Sequence, residues 1–154
     1  MSSDLIMLIT GVLGTLGFSI LFYIHPRRLP LACLGGLLTC AVYLIVNRFV
    51  DGDFIPNLCA ALVGALFSEI CARVFHVPAS VFTTPCIIPL VPGGMLYRTM
   101  SCAVQGDLHG AVQYGMTTLT VALGIAAGIA VGSLLTMLWV SVCKKQPSRR
   151  PGDS

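Results

Sequence analysis

The chain has 154 residues, of which 56% are hydrophobic and only 10% are charged, with a net charge of +3. Soluble domains carry about 25% charged residues, so this composition and a mean hydropathy of +0.90 exclude a soluble protein. The apolar stretches are continuous rather than alternating, which predicts helices that span a lipid bilayer. The small net charge gives no indication of nucleic acid as a partner.

Five apolar segments are long enough to cross the hydrocarbon of a bilayer, which takes about 20 helical residues. We therefore predict an all-α, polytopic membrane protein, a bundle of five transmembrane helices whose fourth helix is broken by proline and glycine. The first residues lack a basic region and a cleavage site, so the first helix is expected to stay in the mature protein. In chain order, the predicted spans cover residues 5–24, 29–46, 54–71, 79–100 and 111–142.

Basic residues divide unequally between alternate ends of these spans. Seven of the nine lysines and arginines fall on one side, which the positive-inside rule assigns to the cytoplasm. This predicts an outside N-terminus, a transmembrane domain over residues 1–143 and a short basic cytoplasmic tail over residues 144–154. The cytoplasmic group is Arg27, Arg28, Arg73, Lys144, Lys145, Arg149 and Arg150, and the outer pair is Arg48 and Arg98.

The fourth span contains the strongest functional signal. A proline within a helix removes one N–H and frees the carbonyl four residues earlier. Broken backbone persists in a membrane only against protein or a watery cavity, and such a break often marks a transport site. The four prolines 78, 85, 89 and 92 are expected to free the carbonyls of Val74, Val81, Pro85 and Ile88.

Unwinding near the glycine pair would let a new helical segment begin at about Met95. Its first amides would be free and would carry partial positive charge, which suits a carboxylate ligand. The alternatives are a structural kink, or a helix end followed by an external loop. Arg98 would either pair with an anionic substrate or face lipid headgroups. The candidate substrate-binding residues are Thr84, Pro89, Pro92, Gly93, Gly94, Tyr97 and Arg98.

Glu69 is the acidic residue that lies clearly within an apolar span. Intramembrane acids are costly and usually functional, so Glu69 is the candidate for proton coupling. The alternative is an ion pair with Arg73, four residues later, at the cytoplasmic mouth.

Other chemistries find little support. Asp51 and Asp53 flank a glycine in an exterior turn, but two acids are too few to predict a metal site. The seven cysteines include no C-x-x-C pair and are interpreted as packing residues. We predict no catalytic residue, no metal and no cofactor, and hence no enzyme.

Small residues recur at four-residue spacing in three spans, a pattern that lets helix backbones approach closely. This pattern predicts a compact bundle, with packing inside the chain favoured over a dedicated subunit interface. The three stripes are Gly11-Thr15-Ser19, Ala60-Gly64-Ser68 and Gly124-Gly128-Gly132.

The segment from Phe75 to Met100 resembles the second half of the threonine/serine exporter family. Within the first span, the stretch from Leu16 to Phe22 and the short basic turn that follows the span resemble the small membrane subunit of the bacterial succinate exporter. The matching pieces of the later segment are Val81-Phe82, Ile87-Ile88-Pro89, Val91-Pro92-Gly93, Tyr97 and Met100.

This resemblance implies a five-helix half-transporter in the bacterial cytoplasmic (inner) membrane that works with a larger exporter-family membrane subunit. The implied substrate is a small carboxylate, either an amino acid such as threonine or serine or a dicarboxylate such as succinate. The rival interpretation is a scaffold or assembly subunit that transports nothing, in which the break only shapes the bundle.

Overall fold

The computed structural model describes residues 2–22 and 29–144 and is helical almost throughout, which confirms the all-α prediction. Arg27, Arg28 and residues 145–154 of the predicted basic tail lie outside the described residues. The elements in chain order are α1 (Ser2–Leu21), α2 (Leu29–Phe49), α3 (Phe54–Phe75), α4 (Ser80–Ile87), a 3-10 turn (Ile88–Leu90), α5 (Gly93–Val104) and α6 (Leu108–Lys144).

Three of the described helices, α2, α3 and α6, are each long and apolar enough to cross a membrane. The pair formed by Ser80–Leu90 and Gly93–Val104 also qualifies when taken together, although it is bent by 55° at the break. The described apolar part of α1, Ile6–Leu21, is shorter. The chain is therefore a multi-pass membrane protein, and the count of five spans stays a prediction.

Helix α3 occupies the centre of the bundle, where it packs against α2, α4 and α6. Its small residues allow this, since Ala60, Ala61 and Gly64 are buried and let the neighbouring backbones come close. The hydroxyl of Ser68, also buried, donates to the Gly64 carbonyl at 2.7 Å, so this polar side chain is satisfied within its own helix. Helix α3 is thus held on several sides.

The glycines of α6 lie directly against the backbone of α3. A Cβ added at Gly124 would lie 2.8 Å from the carbonyl oxygen of Phe54. One added at Gly128 would lie 2.5 Å from that of Leu58. Because the contacts advance along both helices in the same direction, α3 and α6 run parallel, as the predicted third and fifth spans require.

Small residues of α1 make the same kind of contact with α2. An added Cβ at Gly11 would lie 2.7 Å from the Cys40 sulfur, and Thr15 fills the space beside Gly36. The predicted stripes therefore pack helices within the chain.

Helix α6 has two halves with different partners. Its first half lies beside α5 in an antiparallel hairpin, with Thr99 near Gly115. Its second half, from Gly124 onward, lies beside α3. At 1.5 Å per residue, the 37 residues of α6 measure about 55 Å, well beyond the ~30 Å of a hydrocarbon core. Helix α5 buries none of its own residues.

Candidate functional site

The break in the fourth segment has a defined backbone path. After the 3-10 turn, Val91 is extended (φ −62°, ψ 124°) and Pro92 leads into α5. The residue before a proline is pushed toward extended conformations, which explains why the helix stops here. The new helix begins at Gly93, two residues before the predicted start.

One detail of the predicted break is wrong. The carbonyl of Ile88, expected to be free because Pro92 has no N–H, accepts the N–H of Val91 at 3.1 Å. The tighter hydrogen bonding at the end of the 3-10 turn replaces the bond that the proline removes.

The first amides of α5 are only partly satisfied. Gly93 donates to the carbonyl of Val91 at 2.8 Å, and Leu96 donates to that of Pro92 at 3.0 Å. Between them, the N–H groups of Gly94 and Met95 have no acceptor among the described residues. A helix start with unpaired N–H groups carries partial positive charge and can receive an anion.

A cavity of about 220 Å³ lies beside this helix start. At the ~30 Å³ that a water occupies in the liquid, the space holds about seven waters or a small metabolite. The break supplies one wall with residues 89–95, and the other elements supply Met7, Tyr43, Asp53, Asn57 and Val121.

The polar side of the cavity comes from α2 and the start of α3. Asn57 is only 3% exposed, and its Nδ2 donates to the backbone carbonyl of Asp53 at 2.6 Å. Its carbonyl oxygen accepts no hydrogen bond from the described residues, although the residue lines the cavity. Asp53 itself is exposed, and no salt bridge within the described part of the chain reaches it.

The glycine pair leaves open space. A Cβ added at Gly93 or Gly94 would meet no atom within 4 Å. Neither residue has a positive φ, since the described glycines with positive φ are Gly52 and Gly106. The pair therefore widens the cavity without requiring a conformation that other residues avoid.

The structure divides the predicted substrate-binding residues into two groups. Pro89, Pro92, Gly93 and Gly94 line the cavity. Thr84 does not: it faces a separate hollow beside Ser80, whose carbonyl accepts the Thr84 hydroxyl at 2.9 Å.

Tyr97 and Arg98 also lie outside the cavity. Tyr97 is 73% exposed on α5. The guanidinium of Arg98 lies over the ring of Tyr114 on α6, 5.8 Å from its centroid, in a cation–π contact. Arg98 thus joins the two helices of the hairpin.

Glu69 lies far from the cavity. It is 12 residues beyond Asn57, which corresponds to about 18 Å along α3. Its carboxylate is 3.6 Å from the guanidinium of Arg73, and that guanidinium also donates to the Thr136 carbonyl of α6 at 3.2 Å. The structure thus contains the ion pair between Glu69 and Arg73, and a role of Glu69 in proton coupling stays a prediction.

Sequence reasoning missed three polar residues of the cavity, Tyr43, Asp53 and Asn57. One signal was available, because Asn57 is an amide in an otherwise apolar run and follows Asp53 by one helical turn. From sequence alone, the acidic turn of Asp51 and Asp53 points only weakly to a metal site and not to this cavity. Among the described residues, no group of three or more His, Cys, Asp or Glu side chains could hold a metal ion.

Comparison of the chain with known proteins identifies its family. The model of the threonine/serine exporter family, ThrE, matches residues 7–135. A threonine/serine exporter of Corynebacterium glutamicum is 26% identical over 148 residues, which cover 96% of this chain and 29% of the relative. The chain thus spans less than a third of that relative's length, and no solved structure matches it. The chain belongs to the threonine/serine exporter family.

Proposed function

We propose that the chain is a subunit of a secondary transporter that exports a small carboxylate metabolite across the bacterial cytoplasmic membrane. The observation that carries the proposal is the 220 Å³ cavity at the break, into which residues 93–95 bring the start of α5. The unpaired amides of Gly94 and Met95 suit the carboxylate that amino acids and dicarboxylates share. Broken membrane helices bind the carboxylates of transported substrates in this way.

A larger membrane subunit completes the transporter in this proposal. The matched exporter of Corynebacterium glutamicum is more than three times as long as the matched region, since that region is 29% of it. We expect the missing part of the translocation path to come from a separate chain. Co-purification with a larger membrane protein would support this, and robust export by the chain alone in vesicles would contradict it.

Export is tested with cells loaded with threonine, serine or succinate, with and without this gene and that of its partner. The proposal expects efflux of at least one of the three to fall when the gene is removed. Unchanged efflux of all three would favour the rival scaffold role.

Glu69 is the candidate for proton coupling in this transporter. Replacing it by Gln should make the efflux by the variant insensitive to an imposed pH gradient. If the efflux still responds to the gradient as in the native protein, Glu69 is only a structural ion-pair partner.

We further propose an outside N-terminus and a cytoplasmic C-terminus. The support is the seven-to-two division of lysines and arginines between alternate ends of the helices. In a variant without native cysteines, a cysteine at position 148 should resist membrane-impermeant reagents added to intact cells. Labelling from outside would overturn the orientation.

A further inference from the structure

We propose that Asp53 selects substrates that carry an ammonium group, by pairing with that group in the cavity that the start of α5 also lines. The inference rests on the proposed function and assigns a specificity residue to its site. The cavity would thus favour a zwitterionic α-amino acid over a dicarboxylate.

The two walls of the cavity have complementary charge. One wall carries the unpaired amides of Gly94 and Met95, which suit a carboxylate. The lining also includes the carboxylate residue Asp53 from the turn before α3, and no lysine or arginine is among the residues that line the cavity. A small molecule with a carboxylate at one end and an ammonium at the other satisfies both walls, whereas the second carboxylate of a dicarboxylate meets a like charge.

The carboxylate of Asp53 has no structural task in its own helix. Aspartate immediately before a helix usually accepts a hydrogen bond from an N–H of the first turn. Asp53 precedes α3, but its side chain makes no such bond, because its backbone (φ −89°, ψ −19°) is already helical. The carboxylate oxygens therefore remain available to a ligand.

Asn57 supplies a second hydrogen-bond acceptor beside the Asp53 carboxylate, and it also holds the backbone of Asp53 in place. Its amide nitrogen anchors the backbone of Asp53 at 2.6 Å. Its side-chain oxygen has no donor among the described residues and belongs to a residue that lines the cavity, so it can accept a hydrogen bond from a ligand. An ammonium group has three N–H donors, which Asp53, Asn57 and the hydroxyl of Tyr43 match in number.

The test replaces Asp53 by Asn, which keeps the side chain's size and removes its charge. Cells that carry the chain with its partner are loaded with threonine, with 3-hydroxybutyrate, which lacks the ammonium group, or with succinate. We expect the native protein to export threonine in preference to 3-hydroxybutyrate. The Asp53→Asn variant should lower that preference at least fivefold, because a charge-assisted hydrogen bond is lost.

Two variants make the result specific to this carboxylate. Asp51→Asn removes a charge from the same turn, outside the cavity lining, and should leave the preference unchanged. Asp53→Glu retains the charge and should retain most of the preference. An unchanged preference in a normally inserted Asp53→Asn protein would overturn the assignment, and so would a native preference for succinate. If the native protein exports none of the three compounds, the proposed function itself fails.

Discussion

Glycine has opposite uses in the interface between α3 and α6 and in the break before α5. At Gly128 the space for a side chain is occupied by another helix, because an added Cβ would lie 2.5 Å from the Leu58 carbonyl oxygen. At Gly94 that space is empty, with no atom within 4 Å. In the first region glycine permits close packing, and in the second it keeps a cavity open. The same residue type therefore allows close helix packing at Gly128 and leaves room for a ligand at Gly94.

We expect the largest loss of export from a substitution at Gly94, the glycine that leaves the cavity open. Gly94→Val would place a branched side chain at the wall of the cavity, where its Cβ meets no atom within 4 Å and its methyl groups block the start of α5. Gly94 has no positive φ, so valine there adds no backbone strain of that kind and the variant should fold. We expect export to fall to background while the amount of protein in the membrane stays near normal.

Gly17→Val is the matched control for this variant, because an added Cβ at Gly17 on α1 also meets no atom within 4 Å. It should export at the native rate. A well-inserted Gly94→Val protein that exports as fast as the native protein would remove the cavity from the mechanism.

The next largest effect is expected on stability, from a substitution at Gly128, the glycine packed against α3. Gly128→Ala would push a methyl group against the Leu58 carbonyl and against the Cβ of Ala61, 2.8 Å from the added atom, neither of which can yield easily. Overpacking of this kind costs about 1–3 kcal/mol. Unfolding in mixed detergent micelles, followed by circular dichroism, measures the loss. Gly14→Ala, which meets open space, should cost much less; equal losses would show that the α3–α6 contact is looser than described.

A smaller loss of export is expected from a substitution at Pro92, the proline before the glycine pair. Pro92→Ala restores an N–H and removes the restriction that keeps Val91 extended. Part of the population should then join the 3-10 turn to α5 in a straighter helix, and export should fall severalfold. Electron paramagnetic resonance distances between labels on α4 and α5 would report the straightening. An unaltered distance together with native export would show that other contacts hold the 55° bend.

The smallest effect is expected at the far end of the α3–α6 interface. Glu69 is 21% exposed and Arg73 is 41% exposed, so solvent weakens their ion pair. Glu69→Gln should therefore change the free energy of unfolding by less than about 1 kcal/mol. The same detergent titration measures it. A loss several times larger would mean that the pair is a principal link between α3 and α6.

The sequence predicted the features that depend on local composition and spacing. Long apolar runs predicted the helices, because a bilayer requires backbone hydrogen bonds within each segment. The prolines and glycines at 89–94 located the break, because proline removes a helical hydrogen bond and keeps the residue before it extended. Glycine and alanine at four-residue spacing predicted close packing, because such residues share one helix face.

The tertiary structure decided which side chains meet at the break. Tyr97 and Arg98 follow Gly93 and Gly94 by four residues and share their face of α5, yet they do not line the cavity, whose lining on α5 ends at Met95. Asp53 and Asn57 lie more than thirty residues earlier and line it, because the start of α3 packs at the level of the break. Helix rotation and register depend on contacts between distant segments, which no local pattern of apolar residues specifies.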